Sequence, residues 1–258
     1  MDDKFLKVAK KAALEAGKII LKYYGKKLDK NIKGDDHSNF ATQADLEAEK
    51  EILRIIYDKF PTHNIISEEA GVDNRNSEYT WVVDPLDGTI VFSAGLSTFS
   101  VSIGLLKNNQ PILGIVYQVL TKELYYGFRG RGTYLNNKRI RVSNVDDLEK
   151  ALLGVDFAHR AKRMQKTEKY VLPLIDKIRY PISLGSDALI LALIGKGALD
   201  GFATDTNIWD CIAGILIVLE AGGKATDLLG KELDWSKNRL EIIVSNGLIH
   251  DQILEALR

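Results

Sequence analysis

The chain begins with two stretches in which apolar residues recur at helical spacing. Over residues 3–24 the apolar side chains share one face, which predicts a first amphipathic helix that ends at Gly25. Residues 42–59 show the same spacing and predict a second helix. The segment KGDDHSN between them (residues 33–39) is polar and contains a glycine, which is typical of a mobile loop.

Short apolar runs separated by turn signals dominate the middle of the chain. The runs HNIISEE and TWVVD end in acids, and the runs FSVSIGLL and ILGIVYQV flank KNNQP, a hairpin signal. From about residue 148 strands alternate with helices, including a strand at ALLGVDF and a helix over residues 160–178. These elements predict a mixed α/β (α+β) fold with two sheets and helices on their faces, because a single doubly wound sheet would not contain so many hairpins.

Composition and charge narrow the class of protein. The 258 residues contain 35 lysines plus arginines and 35 aspartates plus glutamates, so no overall field favours nucleic acid or an anionic membrane as a partner. No apolar run is long enough to span a bilayer. Cys211 is the single cysteine, so an intrachain disulfide is excluded and a reducing, cytoplasmic location is expected.

The motif WVVDPLDGT (residues 81–89) places two acids where an apolar strand ends. Asp84 and Asp87 flank a proline that bends the chain, so both carboxylates can turn toward one point. Buried acids are costly without a positive charge between them, and free N–H groups at Gly88 and Thr89 would suit a phosphate. The motif therefore fits metal-assisted hydrolysis of a phosphate ester, although a simple strand-end turn remains an alternative.

Three further acids become candidates by their position. Glu68 follows a short strand that could lie beside residues 80–83, which would bring its carboxylate to the same sheet edge as Asp84. Asp210 opens an apolar helix and Asp45 lies in the first turn of another. Each acid also has a purely structural interpretation: an exposed loop acid, an N-cap and a favourable interaction with the helix dipole, respectively. The residues alone leave both interpretations open.

Several motifs in the expected order make the sequence similar to one known family. The chain resembles the inositol monophosphatase family of lithium-sensitive, magnesium-dependent phosphatases, and it looks most like the archaeal-type enzymes that often also cleave fructose 1,6-bisphosphate. The resemblance covers nearly the whole chain and rests on ATQAD (41–45), SEE (67–69), WVVDPLDGT (81–89), LGSDALILALIGKGALDGF (184–202) and WDCIAGILIVLEAGG (209–223).

The resemblance implies a fold and a division of labour along the chain. The fold would be a layered α-β-α-β-α sandwich of the sugar-phosphatase type. Residues 1–147 would form an α+β half that carries most metal ligands. Residues 148–258 would form an α/β half that carries Asp210 and the substrate side.

The resemblance also implies two to three Mg²⁺ ions in the site. Glu68, Asp84 and the Leu86 carbonyl would hold the first ion. Asp84, Asp87 and Asp210 would hold the second. The third would rest on Glu68 and waters, with help from Asp35 or Asp36.

Catalytic and substrate roles follow from the same resemblance. Thr89, hydrogen-bonded to Asp45, would help Glu68 to orient and deprotonate the attacking water. The backbone N–H groups of Gly88 and Thr89 would hold the phosphate. The substrate site that the resemblance implies comprises Asp87, Gly88, Thr89, Ser186, Asp187 and Asp205. Ile90 and Val91 depart from the polar residues that usually follow DGT in the family.

Inositol 1-phosphate is the leading substrate that the resemblance implies, with hydrolysis to inositol and phosphate. Fructose 1,6-bisphosphatase activity, alone or in addition, is the first alternative. A phosphatase for 3′-phosphoadenosine 5′-phosphate and a regulatory binding protein are further alternatives. The basic run HRAKRMQK (residues 159–166) would be a solvated helix face, or it would contact a second substrate phosphate. The resemblance also implies a homodimer or a tetramer.

Overall fold

The computed structural model describes residues 2–33 and 36–258, and the helices and strands below belong to these residues. Three short helical turns accompany the α-helices: 3₁₀ turns at Leu148–Lys150 and Arg160–Lys162, and a π-helical turn at Thr167–Val171. The α-helices are α1 (Asp2–Tyr23), α2 (Gln43–Lys59), α3 (Thr89–Ser93), α4 (Arg163–Lys166), α5 (Leu172–Ile175), α6 (Asp187–Gly195), α7 (Ile208–Glu220) and α8 (His250–Ala256).

The strands form two main sheets and a small ribbon. They are β1 (Lys30–Ile32), β2 (Phe40–Thr42), β3 (Asn64–Ser67), β4 (Gly71–Asp73), β5 (Tyr79–Asp87), β6 (Ser100–Lys107), β7 (Gln110–Gln118), β8 (Glu123–Phe128), β9 (Gly132–Leu135), β10 (Lys138–Arg139), β11 (Leu152–Gly154), β12 (Tyr180–Ile182), β13 (Gly201–Asn207), β14 (Lys224–Thr226) and β15 (Arg239–Ser245). The large sheet has the order β10-β9-β8-β7-β6-β5-β3-β4 and the small sheet the order β12-β11-β13-β15-β14. The ribbon pairs β1 with β2.

Helices and sheets alternate in five layers. The α1–α2 pair buries its apolar stripe on one face of the large sheet. The α6–α7 pair lies between the two sheets and is apolar on both of its faces, because a helix buried on all sides needs no polar face. The α5 and α8 helices cover the outer face of the small sheet. The α-β-α-β-α sandwich that the resemblance implies is therefore confirmed.

The register between β3 and β5 is the feature of the large sheet that positions the site. These strands run parallel and pair Ser67 with Val83. Glu68 follows Ser67, and Asp84 follows Val83. The two acids therefore reach the same edge of the sheet. This is the arrangement that the sequence pattern predicts.

A row of three glycines lets α7 approach the large sheet closely. Gly104, Gly114 and Gly127 are cross-strand neighbours on β6, β7 and β8. A methyl group on Gly104 would lie 2.6 Å from Ile212 Cγ2, and one on Gly114 would lie 2.3 Å from the Ala213 carbonyl oxygen. The helix therefore lies where side chains would otherwise stand on the sheet.

We expect the Gly114→Ala substitution to lower the free energy of unfolding by about 3 kcal/mol, because the new methyl group meets helix backbone that cannot rotate away. Gly127→Ala is the matched control, since its methyl group would have 3.4 Å to the Ile217 Cα, an ordinary contact. Urea denaturation of both variants measures the difference. Equal midpoints would show that α7 does not press on β7 as closely as described.

The helix predicted over residues 160–178 is confirmed as far as Ile175, since helical turns follow one another without a break from Arg160. The helix is irregular, because a 3₁₀ turn precedes α4 and the π-helical turn separates α4 from α5. Pro173 lies in the first turn of α5, and it cannot donate the amide hydrogen bond that a regular α-helix would need. The strand predicted at ALLGVDF is also shorter and covers only β11.

Among the described residues, none of the helices is both long and apolar enough to cross a membrane.

Candidate active site and metal centre

Three carboxylate side chains converge at the edge of the large sheet. Glu68 follows β3, Asp84 lies on β5 and Asp210 lies in the first turn of α7. One oxygen atom from each lies within 4.8 Å of the others. The start of α7 is tied to this edge because Ser102, the cross-strand partner of Asp84, donates a hydrogen bond of 2.9 Å to the Trp209 carbonyl oxygen.

The burial of these acids makes their charges costly. Burial, followed by the charge of Glu68, raises the pKa of Asp84 well above its usual value. The same two causes raise the pKa of Asp210 to about 6. Asp84 Oδ1 accepts one hydrogen bond, 2.9 Å from the Leu86 amide. One donor does not compensate for the repulsion between the three carboxylates, so they need a positive charge nearby to remain ionised.

Asp87 uses one oxygen to join the end of β5 to the start of α6. Its Oδ2 accepts hydrogen bonds from Ser186 Oγ at 2.6 Å and from the Ala188 amide at 2.8 Å. Asp87 is not one of the three acids grouped above, and burial with the charge of Asp210 raises its pKa well above the usual value. Ser186, predicted to touch the substrate, is 1% exposed and holds Asp87 instead.

Thr89 and Asp45 form the hydrogen bond that the resemblance implies. Thr89 Oγ1 lies 2.8 Å from Asp45 Oδ1 and 3.1 Å from the Leu86 carbonyl oxygen. The other oxygen of Asp45 accepts from the Thr42 amide at 2.8 Å, which caps α2. The Asp45 carboxylate is thereby fixed on both sides, and it can orient the Thr89 hydroxyl beside the three acids.

Gly88 takes a backbone conformation that other residues rarely adopt. Its φ is +98°, and a methyl group there would lie 3.1 Å from both the Gly185 and the Thr98 carbonyl oxygens. Glycine therefore lets the DGT turn close against the 184–186 segment. Val91, one of the two departures from the family pattern, packs against this turn, since a Cβ on Gly185 would lie 2.7 Å from Val91 Cγ1.

Lys33 brings a positive charge to the site that the sequence analysis did not identify. Its Nζ lies 2.9 Å from Glu68 Oε1 and also contacts Glu69. Burial lowers the pKa of Lys33, but the charges and hydrogen bonds of Glu68 and Glu69 together outweigh this effect, and the net pKa lies above the usual value. The residue lies in the segment interpreted only as a mobile loop, and no local pattern marks it.

The predicted substrate side contains a network of acids and bases around the buried Lys166. Lys166 is 5% exposed, contacts Asp156 and lies 3.5 Å from Asp205. Arg239 Nε donates a hydrogen bond of 2.8 Å to Asp205. The interpretation of residues 159–166 as a solvated face is therefore wrong for Lys166, whose ammonium group is drawn inward by these carboxylates.

Asp187 faces the same network and reaches toward the metal-side acids. Its Oδ2 lies 2.8 Å from Thr206 Oγ1. Burial, followed by the charge of Asp156, raises the pKa of Asp187 to about 8. Asp187 is thus close to both the Lys166 network and Asp210, as a substrate contact would require.

Asp36 contacts the carboxyl-terminal half of the chain. Its Oδ2 accepts a hydrogen bond of 3.0 Å from the Ala161 amide, while Ser38 Oγ accepts one of 2.9 Å from the Arg160 amide. Hydrogen bonds from Ser38 lower the pKa of Asp36 to about 2. Asp35, the other acid considered for a third ion, lies outside the described residues.

The donor set fits a hard divalent cation. Glu68, Asp84 and Asp210 offer only carboxylate oxygens, which Mg²⁺ prefers and softer metals do not. A cation would also remove the repulsion that raises the pKa of Asp84 and of Asp210. The Leu86 carbonyl and Asp87 adjoin this group in the chain.

Comparison with known proteins places this geometry in context. A sequence model of the inositol monophosphatase family matches residues 1–258. The fructose-1,6-bisphosphatase/inositol-1-monophosphatase of Aquifex aeolicus is 35% identical over 260 residues, covering 99% of this chain and 96% of that protein. The Nus factor SuhB of Pasteurella multocida is 36% identical over 228 residues, covering 87% and 85%. The crystal structure of extragenic suppressor protein suhB from Bartonella henselae superposes with a TM-score of 0.91 at 32% identity, covering 99% and 98% of the two chains.

Proposed function

This chain belongs to the inositol monophosphatase family and is a phosphoric monoester hydrolase; we propose that it requires Mg²⁺ and that inositol 1-phosphate is its main substrate. The observation that carries the proposal is the convergence of Glu68, Asp84 and Asp210 beside the hydrogen-bonded pair of Thr89 and Asp45. This arrangement combines a cation site with a group that can orient water.

Two to three Mg²⁺ ions would be held by the residues at the sheet edge. Glu68, Asp84 and Asp210 supply the core of the site, and Asp87 and the Leu86 carbonyl complete it. When bound, Mg²⁺ supplies positive charge for the phosphoryl oxygens and makes a coordinated water more acidic. Lithium sensitivity is expected from the same resemblance.

The chain's own residues position the reactants. The Thr89 hydroxyl donates to Asp45 Oδ1, which leaves the lone pairs of Thr89 Oγ1 free to accept a hydrogen bond from the attacking water and to orient it. The Glu68 carboxylate would take a proton from this water, and Lys33 holds the Glu68 side chain in place. The Gly88 and Thr89 N–H groups would bind the phosphate.

The substrate side would recognise the hydroxyl groups of a polyol. Asp187 and Asp205 are the acceptors in this proposal; Lys166 lies 3.5 Å from Asp205, and its charge acts on Asp187. Ser186 contributes indirectly, because its hydroxyl holds Asp87 rather than facing the substrate side.

Phosphate release from inositol 1-phosphate and fructose 1,6-bisphosphate, with and without Mg²⁺, tests the function. The Asp87→Asn variant should lose the activity, and Asp58→Asn, an exposed acid on α2, should keep it. The same assay with added Li⁺ tests the lithium sensitivity. Absence of release from both substrates by a folded protein would contradict the proposal and favour a binding role, as the name Nus factor describes for the Pasteurella relative.

Fructose 1,6-bisphosphatase activity is the second candidate, and two basic residues at the start of α4 and in the 3₁₀ turn before it, Arg163 and Arg160, favour it. The Arg160 and Ala161 amides bind the 36–38 turn, a few residues from Lys33, which contacts Glu68. The exposed side chains of Arg160 and Arg163 therefore lie on the segment that contacts the loop of Lys33 and the 36–38 turn.

We expect the double substitution Arg160→Ala, Arg163→Ala to raise the KM for fructose 1,6-bisphosphate by about 10-fold, the effect of one lost charge-assisted hydrogen bond. The KM for inositol 1-phosphate should not change, since this substrate has no second phosphate. Lys177→Ala, an exposed lysine, is the control. An equal rise for both substrates would contradict selective contact with a second phosphate.

The assembly and location proposed here follow from the resemblance. We expect a homodimer or a tetramer in a cytoplasmic compartment. Light scattering at micromolar concentration measures the assembly, and a monomer mass would contradict it.

A further inference from the structure

We propose that Thr206 is a positioning residue that sets the orientation of the Asp210 carboxylate toward the metal site, an inference that rests on the proposed function. Thr206 lies on β13, four residues before Asp210 and outside the motif WDCIAGILIVLEAGG. It is 2% exposed, so its hydroxyl must find its partners within the protein.

The Thr206 hydroxyl lies between two acids. Its Oγ1 is 2.8 Å from Asp187 Oδ2 and 3.2 Å from Asp210 Oδ2. A hydroxyl has one hydrogen, so the two oxygens share it in a three-centre hydrogen bond. Thr206 thereby links the substrate side of the site to the metal side.

The contacts on Asp210 distinguish its two oxygens. Besides Thr206, the Asn207 amide lies 3.3 Å and Asn207 Nδ2 lies 3.1 Å from Asp210 Oδ2. Three donors occupy this oxygen, which leaves Oδ1 as the oxygen that can bind a cation beside Glu68 and Asp84. The donors therefore select one orientation of the side chain.

Thr206 and Asn207 have different roles in this arrangement. Asn207 is anchored from outside the site, because Arg239 Nη1 donates a hydrogen bond of 3.1 Å to its Oδ1. Thr206 is anchored from inside the site by Asp187. Without the Thr206 hydroxyl, Asp210 would keep only the two donors of Asn207. Its carboxylate could then rotate away from Glu68 and Asp84.

The test measures binding of Mn²⁺ alone by electron paramagnetic resonance of the free ion, together with the Mg²⁺ dependence of phosphate release. Thr206→Val keeps the shape of the side chain and removes the hydroxyl, and Thr206→Ser restores the hydroxyl. Thr204→Val is the matched control, since Thr204 lies two residues earlier on β13 and is buried, and the one hydrogen bond of its hydroxyl among the described residues goes to the Asp205 carbonyl oxygen, at 3.4 Å.

We expect Thr206→Val to weaken Mn²⁺ binding by about 10-fold, the lower end of the range for residues that orient metal ligands. The Mg²⁺ concentration for half-maximal activity should rise by the same factor, while kcat at saturating Mg²⁺ changes little. Thr206→Ser and Thr204→Val should bind Mn²⁺ as the unsubstituted protein does.

Several results would overturn the inference. Equal Mn²⁺ affinity in Thr206→Val and the unsubstituted protein would do so while leaving the proposed function intact. Equal weakening in Thr206→Ser or Thr204→Val would show a general effect on β13. Failure of the unsubstituted protein to bind Mn²⁺ would reject the proposed metal site itself. If Thr206→Val does not fold, Thr206→Ala takes its place in the same comparison.

Discussion

Phosphate release by the Asp84→Asn variant is expected to fall by about 10³-fold, which corresponds to about 4 kcal/mol of transition-state stabilisation lost with the cation. The metal-free variant should nevertheless be more stable than the unsubstituted protein. Asparagine has the same shape and its Oδ1 can still accept from the Leu86 amide, whereas the repulsion from Glu68 and Asp210 disappears. A rise in Tm of about 2–4 °C, the shift for 1 kcal/mol in a chain of this size, is expected.

Asp200→Asn is the matched control for this prediction. Asp200 is a buried acid outside the site whose carboxylate accepts from Ser143 Oγ at 2.5 Å and from the Leu152 amide at 2.7 Å. Its substitution should lower stability and leave activity in place, the reverse of the result for Asp84. Activity and metal-free Tm, measured on both variants, give the comparison. A less stable, metal-free Asp84→Asn protein would mean that the acids are compensated without a cation.

Stabilisation of the protein by Mg²⁺ is expected to grow with pH from about 5 to about 7. In the metal-free protein, burial raises the pKa of Asp210 to about 6 and that of Asp84 well above its usual value. A pKa raised above its value in the unfolded chain contributes stability that is complete below the unfolded pKa and is lost as pH rises through the folded pKa. Each proton that only the folded state retains lowers the free energy of unfolding by about 1.4 kcal/mol per pH unit.

Magnesium reverses this loss because it binds the deprotonated acids. The difference in Tm with and without Mg²⁺, measured by thermal denaturation at each pH, should therefore widen across this interval. Groups far from the site cancel in the difference, including His250, whose pKa burial lowers to about 4. Sodium chloride at equal ionic strength controls for screening. A difference that stays constant with pH would show that the acids are already ionised without the metal.

The elements and the core of the site could be predicted because they depend on short stretches of chain. Helical spacing marked α1 and α2, and the apolar runs marked β3 and β5 with their terminal acids. Parallel pairing then brought Glu68 beside Asp84. Long periodic segments and strand ends are local properties, so the sequence carries them without knowledge of the whole fold.

What the sequence pattern missed lies where several segments meet. Lys166 was predicted on a solvated helix face but is buried against Asp156. The hydrogen bond from Ser186 to Asp87 likewise joins residues that lie far apart in the chain. In each case a partner about ten to a hundred residues away decided the outcome, and no local spacing records such a partner.

The sequence by itself determined the helical and strand periods, the all-oxygen character of the acids at the strand ends and the family. Only the tertiary structure decided which cations meet these acids, namely Lys33 at Glu68 and Lys166 at Asp156 and Asp205. It also decided that Thr206 is shared between Asp187 and Asp210, and that three glycines align beneath α7. The physical reason is that local backbone preferences act over a few residues, whereas charge pairing and close packing depend on where distant segments come together in space.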